Sequence, residues 1–245
     1  MVKDNSMSDN ISSDLIYIID KSGSMAGAGE EPKQALNGSI LEQKAVPGSE
    51  NSTYSIYTFS DKVTLSVDDR KLSDAVEFED YKPDGMTALN DAICIAIKNK
   101  LAKPNHKNVI VTVITDGHEN ASKEYTNSDA KKMIKAVQDD HGWKIIFLGA
   151  TQSVIEGGVD AGVDPRNCAV YDQTTPGGLL GLARAVSSQV AEYRSAGAGE
   201  MSPKGLDIRS LSTPARDDQP DSPVLVRSTA PFVAPFGLTG TLRRS

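Results

Sequence analysis

Leu15-Ile16-Tyr17-Ile18-Ile19-Asp20-Lys21-Ser22-Gly23-Ser24-Met25 is the stretch from which the rest of the chain can be read. Its first five residues are apolar without alternation, as in a central strand covered on both faces. The run ends on an acid, and hydroxyls follow two and four positions later. Gly23 lets the chain turn there, so that Asp20, Ser22 and Ser24 can converge. A buried strand delivering a carboxylate into a hydroxyl-bearing loop is the first sign of both a fold and a site.

Working outward, strand and helix signals alternate. A helix is predicted from about Glu31 to Ala45, with Pro32 near its first turn, where a missing N–H is harmless. Thr53 to Phe59 and Lys62 to Val67 read as two strands joined by a tight Ser60-Asp61 turn, a hairpin. Leu89, Ile93, Ile97 and Leu101 recur every fourth residue and mark one face of a second helix. Val109-Ile110-Val111-Thr112-Val113-Ile114 reads as another fully buried strand. Thr126 and Asp129 have capping-box spacing and open a helix carrying Ala130, Met133, Ile134 and Val137 on one face. Lys144 to Leu148 is a strand ending at Gly149, and Asn167 to Tyr171 is a weaker one. Leu179, Leu182, Ala183, Val186 and Val190 stripe the last helix. No internal repeat is present. Buried strands alternating with amphipathic helices imply an α/β fold. Its sheet is doubly wound and mainly parallel, flanked by helices, with one antiparallel hairpin strand. Such sheets bind ligands outside the carboxyl ends of their strands, which directs attention to the loops after Ile19, Tyr81 and Ile114.

The 245 residues suffice for one α/β domain and a tail. Residues 195–245 hold six of the twelve prolines and no long helical pattern, and read as a mostly disordered tail. Residues 1–12 read as a flexible arm, leaving 13–194 as the folded body. With a formal net charge of −7 there is no general basic field for nucleic acid. The polar start MVKDNSMSDNISSD has no apolar core of a secretory signal, and no apolar run reaches the roughly 18 residues of a membrane span. Cys94 and Cys168 lie in apolar elements and read as two buried free thiols. The expectation is a soluble cytoplasmic protein with no nucleic-acid or membrane partner, in which Asn37-Gly38-Ser39 has no glycosylation meaning. Oligomeric state is not legible.

A second acid, Asp116, falls just past the strand ending at Ile114, in Thr115-Asp116-Gly117-His118-Glu119. Between the two acids, Pro83-Asp84-Gly85-Met86-Thr87-Ala88-Leu89 sets Thr87 at a helix start. Taken singly these are ordinary residues. Ser22 and Ser24 read as turn or capping residues, Thr87 as an N-cap, Asp116-Gly117 as a turn and Asp20 as a capping acid. Together they put two carboxylates and three hydroxyls on loops at one edge of one sheet, an all-oxygen set suited to a hard divalent cation. Mg²⁺ would keep near-octahedral geometry with several waters.

The pattern Asp-x-Ser-x-Ser, then Thr, then Asp resembles the metal-ion-dependent adhesion site of von Willebrand factor A (VWA) domains. It reads here as DKSGS, GMTAL and TDG. DLIYIIDKSGSM and VIVTVITDG also match the family's flanking strands, and the resemblance covers roughly residues 13–193. PDGMTALNDAI, IIFLGATQ and the helix after Thr174-Thr175-Pro176-Gly177 are nearer to small bacterial and phage-type members. The resemblance implies Ser22, Ser24 and Thr87 as hydroxyl ligands, direct or through water, with Asp20 and Asp116 as direct or water-bridged acids. Mg²⁺ is the expected ion, with Mn²⁺ or Ca²⁺ as alternatives. The open metal position would take an acidic side chain of a partner protein, and carboxylates kept partly one shell out leave the ion electrophilic.

The alternative is a metal-dependent phosphohydrolase-like enzyme on a Rossmann-like fold. Enzymes of the haloacid dehalogenase class need a second carboxylate two residues after the first, where this chain has Ser22. GxxxxGK[ST] is absent, GSMAGAGE lacks the lysine, and three scattered histidines assemble no triad. His118 and Glu119 read as an exposed loop pair bordering the site, His106 and His141 as surface residues, and Trp143 as core or rim packing. Lys131-Lys132 reads as a solvated helix face. Phe232 and Phe236, within Ala230 to Leu238, are either a short docking motif or an apolar stretch of the tail.

Overall fold

The computed structural model describes residues 12–104, 108–196 and 205–213. The arm 1–11, His106, and the segment with Phe232 and Phe236 lie outside the described residues. The strands are β1 (Asp14–Asp20), β2 (Thr53–Phe59), β3 (Val63–Lys71), β4 (Ile110–Thr115), β5 (Lys144–Gly149) and β6 (Cys168–Val170). The helices are α1 (Glu31–Lys44), α2 (Leu89–Leu101), α3 (Asn127–His141), α4 (Gln152–Asp160) and α5 (Gly178–Ser195). They form one sheet in the order β3-β2-β1-β4-β5-β6. Every pairing is parallel except β2 with β3, so the α/β fold class read from the sequence is the one observed.

β1 shows why its sequence had to be apolar throughout. Leu15, Tyr17 and Ile19 enter the core beneath α1 and α5, with Leu36, Ile40, Leu182 and Val186. Ile16 and Ile18 enter the opposite core beneath α2, α3 and α4, with Ile93, Ile97, Ile134 and Val154. Alternate side chains point to opposite faces, and helices cover both. Ile18 and Ile19 are wholly buried, and each contributes about 1.5–3 kcal/mol of apolar burial. Trp143 belongs to the second core, His141 is exposed, and Cys94 and Cys168 are buried free thiols. Among the described residues no helix is long and apolar enough to cross a membrane.

Three elements differ from the sequence expectation. β3 runs to Lys71, four residues past Val67, through the charged stretch Asp68-Asp69-Arg70-Lys71. Its register with β2 shifts around Ile56, and Asp69 takes a φ of 40° while its backbone N–H bonds to Ser55 Oγ. The irregularity hides the strand's alternation. α4, capped by Thr151 accepting from Val154 N, occupies a stretch whose sequence carries no clear helical signal. Gly157 and Gly158 depress its helix propensity. Gly158 is sterically required, because a Cβ there would lie 2.9 Å from the Phe147 ring.

The third difference is residues 205–213, which fall within the expected tail yet lie against the body. Ile208 N donates to Arg166 O and Thr213 N to Val170 O, both at 2.8 Å. Leu206 and Ile208 are buried in the core beneath α5. Three apolar residues in nine, Leu206, Ile208 and Leu211, make no long periodic signal, but they are enough to dock a short strap.

Candidate metal site

β1 sits between β2 and β4, where the crossover connections diverge to opposite sides. A crevice opens at the carboxyl ends of the strands at such a switch point. Asp20 is the last residue of β1, and Asp116 follows the last residue of β4. The site therefore lies where neighbouring strands stop and their loops part.

Asp20 is wholly buried. Its Oδ1 accepts from Ser22 N at 2.7 Å, and its Oδ2 accepts from Thr115 Oγ1 at 2.6 Å. Ser22 Oγ and Ser24 Oγ are 3.0 Å apart, and Ser24 Oγ donates to Asp116 Oδ1 at 2.6 Å. A continuous chain thus links Asp20, Ser22, Ser24 and Asp116. Thr87 joins through Gly117: a Cβ on Gly117 would lie 3.2 Å from Thr87 Oγ1 and 3.9 Å from Ser24 Oγ. All five residues singled out in the sequence meet at one place.

Backbone ties between the loops fix this arrangement. Gly23 N donates to Gly85 O at 2.9 Å, and Asp84 N to Lys21 O at 2.8 Å. Gly85 has a φ of 80°, and a Cβ on it would lie 2.4 Å from Asp61 Oδ2, so only glycine fits. Thr87 N donates to Asn120 Oδ1 at 2.8 Å while Asn120 N donates to Thr87 O at 3.0 Å, locking the Thr87 and Asp116 loops together. Tyr81 Oη donates to Asp20 O at 2.8 Å, and Tyr171 Oη to Thr115 O at 3.2 Å.

Several of these roles escaped the sequence reading. Thr87 is no N-cap: that position is Ala88, with no side-chain cap of its own. The start of α2 is served from the Asp116 loop instead, where Glu119 Oε2 accepts from Asn90 N at 2.7 Å and Ser122 Oγ from Asp91 N at 3.0 Å. Glu119 is thus a half-buried anchor, not half of an exposed pair. Asp91 returns the tie by accepting from the N–H groups of Lys123, Glu124 and Tyr125. Acids followed by short polar residues were the available signal, but their partners lie about thirty positions away. His118 is exposed, and its Nε2 lies 3.2 Å from Ser153 Oγ. Its Nδ1 faces Gly157, and no carboxylate hydrogen bond to the ring occurs among the described residues.

Burial pushes the Asp20 carboxyl up to about 6, against the pull of hydrogen bonds from Thr115 and Ser22, and the nearby Asp116 pushes the same way. Burial likewise raises Asp116, opposed by the Ser24 hydrogen bond. Among the described residues no ion pair reaches either acid. One wholly buried and one half-buried carboxylate, joined by hydroxyls and with no ion pair among the described residues, form an all-oxygen set. That donor chemistry fits a hard divalent cation.

Comparison with known proteins bears on this arrangement. Residues 14–182 match the von Willebrand factor type A domain. No curated protein matches the chain in sequence. Solved structures of similar fold include a von Willebrand factor type A protein from Catenulispora acidiphila, at 14% identity and a TM-score of 0.54, covering 76% of this chain and 43% of that one. The pilus adhesin SpaC from Lactobacillus rhamnosus GG, in its open conformation, has 12% identity and a TM-score of 0.60, with coverage of 75% and 30%. Proximal thread matrix protein 1 from the mussel byssus, solved with a zinc-occupied MIDAS motif, has 17% identity and a TM-score of 0.53, with coverage of 74% and 48%. This chain therefore spans less than half the length of each of these solved chains. By the match across its body, the chain belongs to the von Willebrand factor type A domain family.

Proposed function

We propose that the protein is a metal-dependent protein-binding module whose cation, Mg²⁺, is held by Asp20, Ser22, Ser24, Thr87 and Asp116 and receives an acidic group of a partner protein. The observation that carries the reading is the hydrogen-bonded chain from Asp20 through Ser22 and Ser24 to Asp116, with no ion pair to either acid among the described residues. When bound, the ion supplies a Lewis-acidic position for an incoming carboxylate. The protein's own residues hold that position open. Asp20 is buried and pinned by Ser22 and Thr115, and Asp116 is oriented by Ser24. The zinc-occupied site of the mussel protein and the adhesin role of SpaC support a binding function. Two free buried thiols fit a reducing compartment, consistent with the cytoplasm.

The chemistry of the site supports binding over turnover. Ser22 stands where a phosphohydrolase would need its second acid, and no nucleophile–base–acid set is assembled around His118. The test is capture of partners by the full chain in Mg²⁺ and in EDTA, with Asp116→Ala in parallel and Mn²⁺ titration calorimetry on both proteins. Partners retained only in Mg²⁺ and lost with Asp116→Ala are expected. A complex that forms equally well in EDTA would refute the metal-dependent mechanism. Metal-dependent phosphatase turnover that vanishes in Asp20→Asn would favour the enzyme.

A further inference from the structure

On the flank of the sheet, a groove of about 350 Å³ opens between α4, β6 and the strap 205–213. None of Asp20, Ser22, Ser24, Thr87 and Asp116 lines it. Its lining is predominantly apolar, with Ile155 and Cys168 buried and Val159 half-buried. Glu156 and Asp160 stand exposed on the α4 side and Arg209 on the strap side. We propose that this groove docks an amphipathic helix of a partner protein. The helix sets an apolar stripe into the groove and places lysines or arginines, four residues apart, beside Glu156 and Asp160. The docking needs no metal.

Charge decides the chemistry of the occupant. Arg209 is engaged by Asp207, through Nε at 2.9 Å and Nη2 at 2.5 Å. Arg166 is likewise engaged by Asp164, at 2.6 Å. Those pairs cancel. Glu156 and Asp160 take no hydrogen bond or ion pair among the described residues. The stems of Lys131 and Lys135 pass close to Gly162, yet neither lysine pairs with Asp160. The groove thus carries two free negative charges along one side. Lysine and arginine complement it with both halves of their side chains, an aliphatic stem over the apolar lining and a cationic head at the carboxylates.

Spacing and backbone decide its conformation. Ile155 and Val159 are four residues apart on α4, and so are Glu156 and Asp160. They form two parallel rows, apolar and acidic, whose members are separated by about 6 Å along the axis. A second helix presents side-chain rows with the same rise, which is how helices pack together. An extended peptide lacks the corresponding anchor. Val170 N already donates to Ser212 Oγ and Val170 O already accepts from Thr213 N, so the strap occupies the main-chain positions that a further strand would use. Recognition by side chains from a helix is the mode that fits.

The test uses the full chain and fluorescent helical peptides of about 18 residues built from Ala, Leu and Lys, with a Leu stripe flanked by Lys four residues apart. Companion peptides carry Gln for Lys or Ala for Leu. Anisotropy should show the Leu–Lys peptide binding equally in Mg²⁺, in EDTA and to Asp116→Ala, with both companions weaker. The double variant Glu156→Lys/Asp160→Lys should weaken binding about tenfold, the scale of two rim ion pairs turned to repulsion. Asp139→Lys/Asp140→Lys makes the same change in net charge at the exposed end of α3 and should leave the affinity nearly unchanged. Protection from hydrogen exchange should centre on residues 152–160 and 205–213. No binding of the Leu–Lys peptide, equal weakening by the two double variants, or protection elsewhere would overturn the proposal. A full chain that sediments as a dimer, and as a monomer once Glu156→Lys/Asp160→Lys is introduced, would give the groove to a second copy and overturn it too. A partner complex that survives EDTA counts against the metal-dependent reading only if Glu156→Lys/Asp160→Lys leaves it intact, so the two proposals fail separately.

Discussion

At the amino end of β1, Asp14 meets Lys100 Nζ at 2.8 Å, and the same ammonium reaches Asp69 at 3.0 Å. Burial would raise the Asp69 carboxyl, but hydrogen bonds from Lys100 and Lys103 outweigh it and hold Asp69 below the usual carboxylate value. At the other end of the same strand, Asp20 is more deeply buried and has only hydroxyls and an amide for company. Its carboxyl rises to about 6. One end brings its own cations to its acids. The other shields its acids and supplies none, a charge arrangement that an external cation would complete. The difference separates an acid paired by the chain's own ammonium from one buried without such a partner.

The largest expected effect tests the neutralised end. Lys100→Met leaves Asp14 and Asp69 without their shared ammonium, and should cost about 3–5 kcal/mol in thermal or chemical unfolding, equally in Mg²⁺ and EDTA. A loss that Mg²⁺ repairs would mean that the two ends are not independent. Ile208→Ala touches neither end and serves as a reference. Its side chain is wholly buried, so truncation should cost about 2–4 kcal/mol, again regardless of metal. A negligible cost would mean that residues 205–213 do not belong to the fold.

The smallest effect has the opposite sign. Asp20→Asn removes a buried charge, and at pH 7 in EDTA it should raise stability by at most about 3 kcal/mol, while removing any stabilisation by Mg²⁺. The pH profile of the metal-free protein follows from the same group. Because the folded value is raised, protonated Asp20 favours the fold. That contribution is fully present below 3.8 and is lost as pH rises through about 6. Metal-free stability should therefore fall from pH 4 to 7, and Mg²⁺ should restore it at pH 7. Asp69 works in reverse, losing its contribution as pH falls. A metal-free profile that rises monotonically over this range would show that Asp20 is not the sheltered acid described above.

Legibility in the sequence tracked locality. β1 and β5 were readable because burial on both faces demands apolar runs, and the capping box of Thr126 and Asp129 was readable because its partners are three residues apart. That the loops carrying Asp20, Ser22, Ser24 and Asp116 lie together could be anticipated because neighbouring parallel strands end at one edge. What failed to show was non-local or irregular. Glu119 caps a helix that precedes it by about thirty residues, α4 hides behind two glycines, and β3 bends through a positive φ at Asp69. Tyr81 and Tyr171 hold the site from behind through their hydroxyls, each reaching a strand end that sequence spacing does not place beside it.

The strap also changes what the sheet can do at its margins. β6 is an outermost strand, and an uncovered strand of that kind invites pairing with another chain. Here Val170 N donates to Ser212 Oγ and Val170 O accepts from Thr213 N, so the strap stitches over part of that margin. On the far margin the shifted register and the charged run from Asp68 to Lys71 break the regular row of backbone groups. With both selvedges roughened, the ribbon is a poor template for a further strand. A strand from another chain would find no regular row of free backbone groups on either margin among the described residues.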